Sequence, residues 1–247
     1  MERGLAVIRA FDQTHPELTL SDVAARTGVT RAVARRFLLT LASLGYVRND
    51  GRYFSLTARV LELGYAYLSS LSLPEVAESH LEALVGEVNE SSSVSVLDGH
   101  DVVYVARVPV SRIMTVSISV GTRFPAYATS MGRVLLAGLP EAELEEYFGA
   151  VVLAPLTART VTSTEALRAE IAKARTQGWA LVNQELEEGL RALAAPVRDR
   201  TGRVVAAVNV SAHASRTSLD AVRRDLLPPL LKAAARIEAD IPGSRRS

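Results

Sequence analysis

The 247-residue sequence has no cysteine, which excludes disulfide bonds, thiolate catalysis and cysteine-ligated metal sites. It also has no apolar run near the roughly 20 residues that a membrane-spanning helix needs. The opening stretch, MERGLAVIRAF, is amphipathic and contains an acidic residue, unlike a secretory signal peptide. With 48% hydrophobic and 22% charged residues, the composition is that of a globular protein. We therefore expect a cytoplasmic protein with no membrane partner.

The sequence motifs of common enzyme classes are missing as well. There is no G-x-S-x-G, no P-loop, no G-x-G-x-x-G and no H-E-x-x-H. The four histidines, at positions 15, 80, 100 and 213, are scattered without the spacing of metal ligands. We therefore expect no catalytic residues, no metal and no cofactor. An enzyme acting on a small acid is the alternative, and turnover of a bound acid would support it.

Charge is distributed unevenly along the chain. Residues 1–72 carry nine arginines and six acidic residues, a net charge of +3, whereas the remainder carries 19 basic and 21 acidic residues, a net charge of −2. A small basic segment joined to a larger, slightly acidic one is typical of a nucleic-acid-binding domain followed by a second domain.

Residues 19–44 have the pattern of two helices joined by a tight turn, which is a helix-turn-helix. Thr19 and Asp22 have the spacing of a capping box at the start of the first helix, and Gly28 is placed to end it. Thr30 is then placed to cap the second helix. Small or apolar residues stand where the two helices must bury each other's surface: Val23, Ala24, Val29, Ala34 and Phe37.

The second of these helices separates apolar residues from basic ones. At about 100° per residue, one side collects Val33, Ala34, Phe37, Leu38, Leu41 and Leu44. The N-terminal end of a recognition helix meets base edges in the major groove, where arginine can bind guanine through two hydrogen bonds. Three arginines alone could form a solvated basic face, but because they lie on the second helix of a helix-turn-helix, we predict contact with double-stranded DNA. The predicted DNA-binding residues of the helix are Thr30, Arg31, Ala32, Arg35 and Arg36.

The stretch YVRNDGRYFSL follows, with two short alternating segments around Asn49-Asp50-Gly51. Asp-Gly between such segments is a strong hairpin signal, so we predict a wing. Arg48 and Arg52 flank its tip and are expected to hold phosphate groups, which fix register but read no sequence. Residues 1–57 are thus predicted to be a winged helix-turn-helix domain, and residues 58–73 a linker helix.

In residues 74–247, helical patterns are mixed with strand patterns. They predict an α+β domain, in which helices flank an antiparallel sheet. Two groups of three strands are linked largely through hairpin turns, with helices before, between and after them. The predicted strands are residues 92–98, 101–108, 112–120, 179–185, 191–199 and 204–212. The closing helix spans about residues 219–239 and contains Pro228-Pro229, which is expected to kink or divide it.

Three separated stretches closely resemble the IclR family of bacterial transcription regulators: LTLSDVAARTGVTRAVARRFLLTLASLGYV, VGTRFPAYATSMGRVLLAGLP and GLRALAAPVRDRTGRVVAAVNVSAHASR. More narrowly, they resemble its branch that controls aromatic-acid degradation through protocatechuate and the β-ketoadipate pathway. The resemblance implies a palindromic DNA operator, a GAF-like effector domain that binds a small carboxylate, and homodimers that often pair into tetramers. It leaves open whether the protein represses or activates transcription.

The effector site is expected where the helix after Thr129 begins, because free N–H groups and the positive dipole end favour anions there. The family binds carboxylates at this turn, which is Ser130 and Met131 in this chain. The resemblance also implies that Ile113, Val116, Phe124, Val182, Ala192, Asn209 and Ser211 surround the cavity. Met131 and Asn209 depart from family members that bind very small keto acids, and this departure favours a larger, more apolar acid.

Each of these residues also has a structural interpretation. Met131 could be core filler, and Asn209 would need hydrogen-bond partners if it is buried. Arg107, Arg123 and Arg191 could each offer a cation to the effector, although an inward arginine is more often part of a structural ion pair. Two alternatives remain for the whole chain: an IclR-type regulator of another carbon-source pathway, and a DNA-binding protein that ignores ligands.

Overall fold

The computed structural model describes residues 2–12, 14–68, 73–110 and 118–241. The chain divides into two compact units, residues 1–71 and residues 72–247. None of the helices among the described residues combines the length and the hydropathy that crossing a bilayer would require.

The first unit begins with three helices and a small sheet. The helices are α1 (Glu2–Arg9), α2 (Leu20–Thr27) and α3 (Arg31–Ser43). Strands β1 (Glu17–Thr19), β2 (Val47–Asn49) and β3 (Tyr53–Leu56) form an antiparallel sheet in the order β1-β3-β2. Together α2 and α3 form the predicted helix-turn-helix, and β2 and β3 form the predicted wing.

Local sequence explains the boundaries of α2 and α3. The Thr19 side chain and the Asp22 carboxylate form the reciprocal hydrogen bonds of a capping box. Gly28 ends α2 in the left-handed conformation with φ of 67°, which costs glycine no side-chain clash. Thr30 caps α3 by accepting a hydrogen bond from the Val33 N–H. These caps confirm the predicted placement of the two helices.

The core of this unit contains the apolar residues predicted to be buried between α2 and α3, with one exception. Val23, Ala24, Ala34 and Leu38 are buried, and Val29 and Phe37 pack against them while partly exposed. Leu44, which the helical spacing assigns to the apolar side, is 51% exposed because α3 has ended and Leu44 is its C-cap.

Strand β1 was not predicted from the sequence. Three residues are too few to show an alternating pattern, so nothing local marks them as a strand. The strand forms because Leu18 pairs with Phe54 of β3 and buries its side chain. A distant partner therefore determines this element.

The linker differs from the predicted continuous helix over residues 58–73. A 3₁₀ turn covers Ala58–Val60 and helix α4 covers Leu61–Leu68. Residues 69–72 lie outside the described residues. Leu73, placed in the linker by the sequence pattern, is instead the first residue of α5 (Leu73–Val88).

The second unit is an α+β domain built on a six-stranded antiparallel sheet. Its strands are β4 (Ser91–Asp98), β5 (Asp101–Val108), β6 (Arg123–Pro125), β7 (Ala180–Asn183), β8 (Leu190–Arg198) and β9 (Val204–His213). The order β6-β5-β4-β9-β8-β7 confirms two groups of three, which meet where β4 pairs with β9. Both central strands are buried along most of their length. Such burial is typical of strands whose two faces are both covered.

The third predicted strand, residues 112–120, can be compared with the structure only at its last three residues. Most of residues 112–120 lie outside the described residues, and the last three of them form no strand. On the side of β5 away from β4, the partner is β6, whose residues belong to none of the predicted strands. Pro125 fits there because β6 is an edge strand, where a missing N–H breaks no ladder.

Helices cover the sheet. Helix α5 packs against β4 and β5 and against the C-terminal helix, while α6 (Ser130–Ala137) packs on β7, β8 and β9. The remaining helices are α7 (Glu141–Ala150), α8 (Thr164–Gln177), α9 (Leu219–Ala221) and α10 (Leu227–Asp240). A π-helical turn over Val222–Leu226 precedes α10, which carries the two prolines in its first turn. The closing helix is thus divided next to Pro228-Pro229, as predicted.

Candidate functional site

The N-terminal half of α3 presents the predicted DNA-binding residues to solvent. Arg31, Ala32, Arg35 and Arg36 are all exposed, while Ala34 and Leu38 on the other side are fully buried. Thr30 is exposed at the cap. Within the described part of the chain, these three arginines form no ion pair. Their charges are therefore free to meet an external polyanion.

The wing has a turn fixed by its own side chains. The Asn49 Oδ1 accepts the Gly51 N–H at 2.8 Å, and the Asp50 Oδ1 accepts the Tyr53 N–H at 2.7 Å and the Arg52 N–H at 3.1 Å. These backbone hydrogen bonds lower the pKa of the Asp50 carboxyl. Arg48 and Arg52 are exposed on either side of this turn, and the Arg52 guanidinium lies 5.2 Å from the centre of the Tyr53 ring.

A cavity opens at the N-terminus of α6 in the second unit. Water-sized spheres can occupy about 20 Å³ of it, which is room for roughly one water molecule, so a larger ligand requires the side chains of the wall to move. Its described walls are contributed by β5, the segment before β6, the 3₁₀ turn before α6 and the first turn of α6, β7 with the loop after it, β8 and β9. The lining residues are Tyr104, Ile118, Ala128, Thr129, Ser130, Met131, Val182, Leu186, Leu190, Ala192, Asn209 and Ser211.

Six residues that the resemblance assigns to the effector site line this cavity: Ser130, Met131, Val182, Ala192, Asn209 and Ser211. Phe124 is not among the lining residues; its ring packs edge-on against that of Tyr104, with centroids 5.7 Å apart. Ile113 and Val116 lie outside the described residues. The cavity therefore brings together residues from segments that are far apart in the sequence.

The first turn of α6 offers hydrogen-bond donors to the cavity. Thr129 Oγ1 accepts the Gly132 N–H at 3.0 Å, which leaves the N–H groups of Ser130 and Met131 without a partner among the described residues. The Ser130 hydroxyl is buried and also has no partner there. With the helix dipole added, this turn favours a bound anion.

Gly132 permits this geometry. A Cβ atom at this position would stand 2.0 Å from the carbonyl oxygen of Ala126, in the 3₁₀ turn that precedes α6. Backbone atoms cannot move aside as a flexible side chain can, so only glycine allows the turn and the helix to approach so closely. The sequence pattern gave no reason to single out this glycine.

The strand side of the cavity adds polar atoms to an otherwise apolar wall. Asn209 is buried, and its Nδ2 donates to Ser211 Oγ at 3.1 Å, while its Oδ1 has no partner among the described residues. Met131 is buried and accepts a hydrogen bond from Ser95 through its sulfur at 3.1 Å. Met131 therefore acts both as core filler and as cavity wall.

Sequence reasoning missed several wall residues, including Tyr104, Ile118, Leu186 and Leu190. Tyr104 is one of several apolar positions on β5, and only the sheet register shows that it faces the cavity. Burial raises the pKa of its hydroxyl to about 12, so the group remains neutral and can donate a hydrogen bond. Leu186 and Leu190 come from a loop and a strand start that carry no recognisable signal.

The arginines considered as cations are not equivalent. Arg123 pairs with Asp98 at 2.6 Å and Asp101 at 3.2 Å on the exposed hairpin. Arg191 donates to Asn183 Oδ1 at 2.7 Å and to the Ala214 and Thr217 carbonyl oxygens. Arg107 is half-buried and donates to Ser93 Oγ at 3.2 Å. The first two are therefore engaged in structural contacts.

A fourth arginine, Arg133, lies on α6 one turn from the cavity and was not considered from the sequence. It is 1% exposed, and its Nη2 lies 2.5 Å from the Glu185 carboxylate, which also accepts the Val161 N–H. This buried ion pair fixes α6 to the loop that carries Leu186. Among the described residues, no group of three or more acidic or histidine side chains is placed to hold a metal ion.

Comparison with known proteins covers both units. The family model described as the IclR helix-turn-helix domain matches residues 1–51, and that described as the C-terminal part of the bacterial transcriptional regulator IclR matches residues 65–239. The Pca regulon regulatory protein of Pseudomonas putida is 45% identical over 234 residues, which make up 94% of this chain and 80% of that protein.

Two solved structures extend the comparison to the fold. The crystal structure of a regulator from Rhodococcus sp. RHA1 is 60% identical, with a TM-score of 0.89, and the match covers 97% of this chain and 96% of that one. An IclR homolog from Microbacterium hydrocarbonoxydans, crystallised with 4-hydroxybenzoate, is 27% identical with a TM-score of 0.84, covering 96% and 97% of the two chains.

Proposed function

Because the chain belongs to the IclR family of bacterial transcriptional regulators, we propose that it controls genes of aromatic-acid catabolism in response to a small carboxylic acid. The pathway is that of protocatechuate, 4-hydroxybenzoate and β-ketoadipate, as suggested by the Pca regulon relative of Pseudomonas putida. The protein acts in the cytoplasm by binding DNA and its effector, and it catalyses no reaction.

The observation that carries the effector role is the anion-favouring turn inside an otherwise apolar cavity. The effector carboxylate accepts hydrogen bonds from the free N–H groups of Ser130 and Met131, and the Ser130 hydroxyl is a third donor. Val182 and Ala192 contact the apolar body of the acid, and Asn209 and Ser211 bind its polar substituents. A homolog crystallised with 4-hydroxybenzoate supports an aromatic acid as the effector.

DNA binding rests on the exposed basic face of α3 and the wing. Arg31, Arg35 and Arg36 meet base edges in the major groove, with Thr30 and Ala32 beside them, while Arg48 and Arg52 bind phosphates. Each good two-bond contact between arginine and guanine contributes about 1–3 kcal/mol of discrimination. The operator is palindromic because a symmetric dimer presents this face twice.

We further propose a homodimer through the N-terminal unit, and tetramers through the effector units. Leu44, Leu61 and Leu63 support the dimer, because these three large apolar side chains are 51%, 73% and 48% exposed within the first unit. Half-sites lie about 34–36 Å apart for each helical turn. Effector binding at the Ser130 turn changes the placement of the effector units, and so the spacing of the two α3 helices.

The test is a calorimetric titration of the full chain with a panel of acids: protocatechuate, 4-hydroxybenzoate, β-ketoadipate, cis,cis-muconate and glyoxylate. We expect saturable binding of at least one acid of the aromatic pathway, and none of glyoxylate. The variant Ser130→Leu, which fills the turn, should lose this binding, whereas Ser163→Leu at the exposed cap of α8 should bind as wild type does.

Absence of binding by a folded protein across the panel would contradict the aromatic-acid assignment. It would favour a regulator of another carbon-source pathway, or one that ignores ligands. Equal DNA affinity with and without a bound acid would favour a DNA-binding protein that ignores ligands. Release of a chemically altered acid would instead revive an enzymatic role.

A further inference from the structure

On the premise of the effector function above, we propose that Arg107 binds a second anionic group of the effector. The cavity then selects acids with two carboxylates over acids with one. The first carboxylate lies at the Ser130 turn, and the second lies toward β5. Arg107 is thus a specificity-determining residue.

Of the three candidate arginines, Arg107 is the least engaged, because its guanidinium makes one hydrogen bond among the described residues, to Ser93 Oγ. Arg123 pairs with two aspartates, and Arg191 is held by an amide oxygen and two carbonyl oxygens. Among the described residues, no Asp or Glu side chain lies within ion-pair distance of Arg107. The remaining residues of the chain contain no aspartate or glutamate at all, so no acidic side chain of this chain neutralises Arg107.

A β-bulge places Arg107 on the cavity side of the sheet. Tyr104 lines the cavity, and a residue three positions later would ordinarily face the other way. The register shifts at this point, so that Tyr104 stands opposite Ser95 and Arg107 stands opposite Ser93. One extra residue is inserted between them, and both side chains therefore share a face.

The same face continues across the next strand to a residue of the cavity wall. Ser93 stands opposite Arg107 on one side and opposite Asn209 on the other. The Arg107 Nη1 donates to Ser93 Oγ at 3.2 Å, and the Asn209 Oδ1 has no partner among the described residues. A row of polar groups therefore runs from the cavity toward β5.

The electrostatic environment gives this row a preference for negative charge. Arg107 is half-buried, and burial lowers the pKa of its guanidinium. A charge removed from water without a counter-charge is costly, and an effector carboxylate would supply that counter-charge. Guanidinium and carboxylate also match as a two-bond pair.

The experiment compares adipate with hexanoate, six-carbon acids that differ by one carboxylate, by calorimetric titration of the full chain. We expect wild type to bind adipate more tightly. In Arg107→Met, the affinity for adipate should fall roughly 10- to 100-fold, as for loss of a charge-assisted hydrogen bond. The affinity for hexanoate should change by less than about threefold. Pairing two ligands with two proteins isolates the contact between Arg107 and the second carboxylate.

Controls separate the possible failures. Arg168→Met removes an exposed arginine that pairs with Glu145 and should bind both acids as wild type does. Arg107→Lys keeps the charge and should show an intermediate loss for adipate, even if the Met variant fails to fold.

Unchanged adipate affinity in Arg107→Met, or equal losses for both acids, would overturn the role of Arg107. If Ser130→Leu still abolished binding of both acids in that case, the proposed function would stand. Absence of any binding to wild type would overturn both.

Discussion

At the scale of single residues, the effector unit depends on two features that the sequence does not indicate: a close backbone contact and a buried ion pair. Gly132 allows α6 to begin against the backbone of Ala126. Arg133 and Glu185 form a buried ion pair next to the cavity. Both features hold the turn that is proposed to bind the carboxylate, so their loss should first be visible in stability.

Gly132→Ala should destabilise the effector unit by about 3 kcal/mol, because its Cβ would overlap backbone atoms that must then shift. Urea unfolding followed by the fluorescence of Trp179, the sole tryptophan of the chain, measures this effect. Gly149→Ala in α7 is the matched control, since no atom lies within 4 Å of its added Cβ; it should be neutral or stabilise by up to about 1 kcal/mol. Equal stabilities of the two variants would refute the close contact.

Glu185→Gln should cost about 2–3 kcal/mol in the same unfolding experiment. The Arg133 charge stays buried while its nearest counter-charge is removed, and only the partly exposed Glu170 carboxylate, 3.8 Å from Arg133 Nη1, remains to offset it. The control is Glu145→Gln, which breaks the exposed pair with Arg168 and should cost less than about 1 kcal/mol. If both variants lost the same small amount, the Arg133–Glu185 pair would have no special importance.

At the scale of elements, α3 and the wing have separable tasks. Helix α3 presents its basic side with helical periodicity, while the wing places Arg48 and Arg52 on either side of a rigid turn. The physical difference is that base edges differ between sequences and phosphates do not. Substitutions in the two elements should therefore differ in kind.

Arg35→Ala should weaken binding to a selected operator by about 1–3 kcal/mol and relax base preference at one position. Arg52→Ala should weaken binding to all DNA sequences alike and reduce the slope of log affinity against log salt by about 1. Fluorescence anisotropy on DNA selected by wild type from a random pool measures both, with Arg200→Ala on an effector-unit turn as control. Operator affinity of Arg35→Ala equal to that of wild type would reject α3 as the recognition helix.

At the scale of the whole molecule, the chain joins a basic unit to a slightly acidic one through α4. Coupling between two sites is a free energy that both ligands share. Operator DNA should therefore change effector affinity by the same factor by which the effector changes DNA affinity, typically about 5- to 150-fold. Calorimetry with and without saturating operator, beside anisotropy with and without saturating acid, gives the two factors. Factors of one in both measurements would exclude the coupled mechanism, and equality of the two factors checks that the measurements are at equilibrium.

Much of the fold could be predicted from local sequence. The capping box at Thr19, the glycine that ends α2 and the alternation of β4, β5, β8 and β9 are set by residues a few positions apart. The edge strands β1 and β6 could not be predicted, because each is short and depends on pairing with β3 or β5. The cavity was predicted in part: the resemblance supplied Ser130 and Asn209, but not Tyr104 or Leu186.

By itself, the sequence determined the class of the protein: a basic helix-turn-helix with a wing, followed by an α+β unit with two groups of three strands. Caps, turns and periodicity act over a few residues and are therefore legible without a structure. Only the tertiary structure decided which side chains meet across the sheet. The bulge that turns Arg107 to the face of Tyr104, the burial of Arg133 against Glu185 and the close contact at Gly132 depend on register and packing between distant segments, which no local pattern encodes.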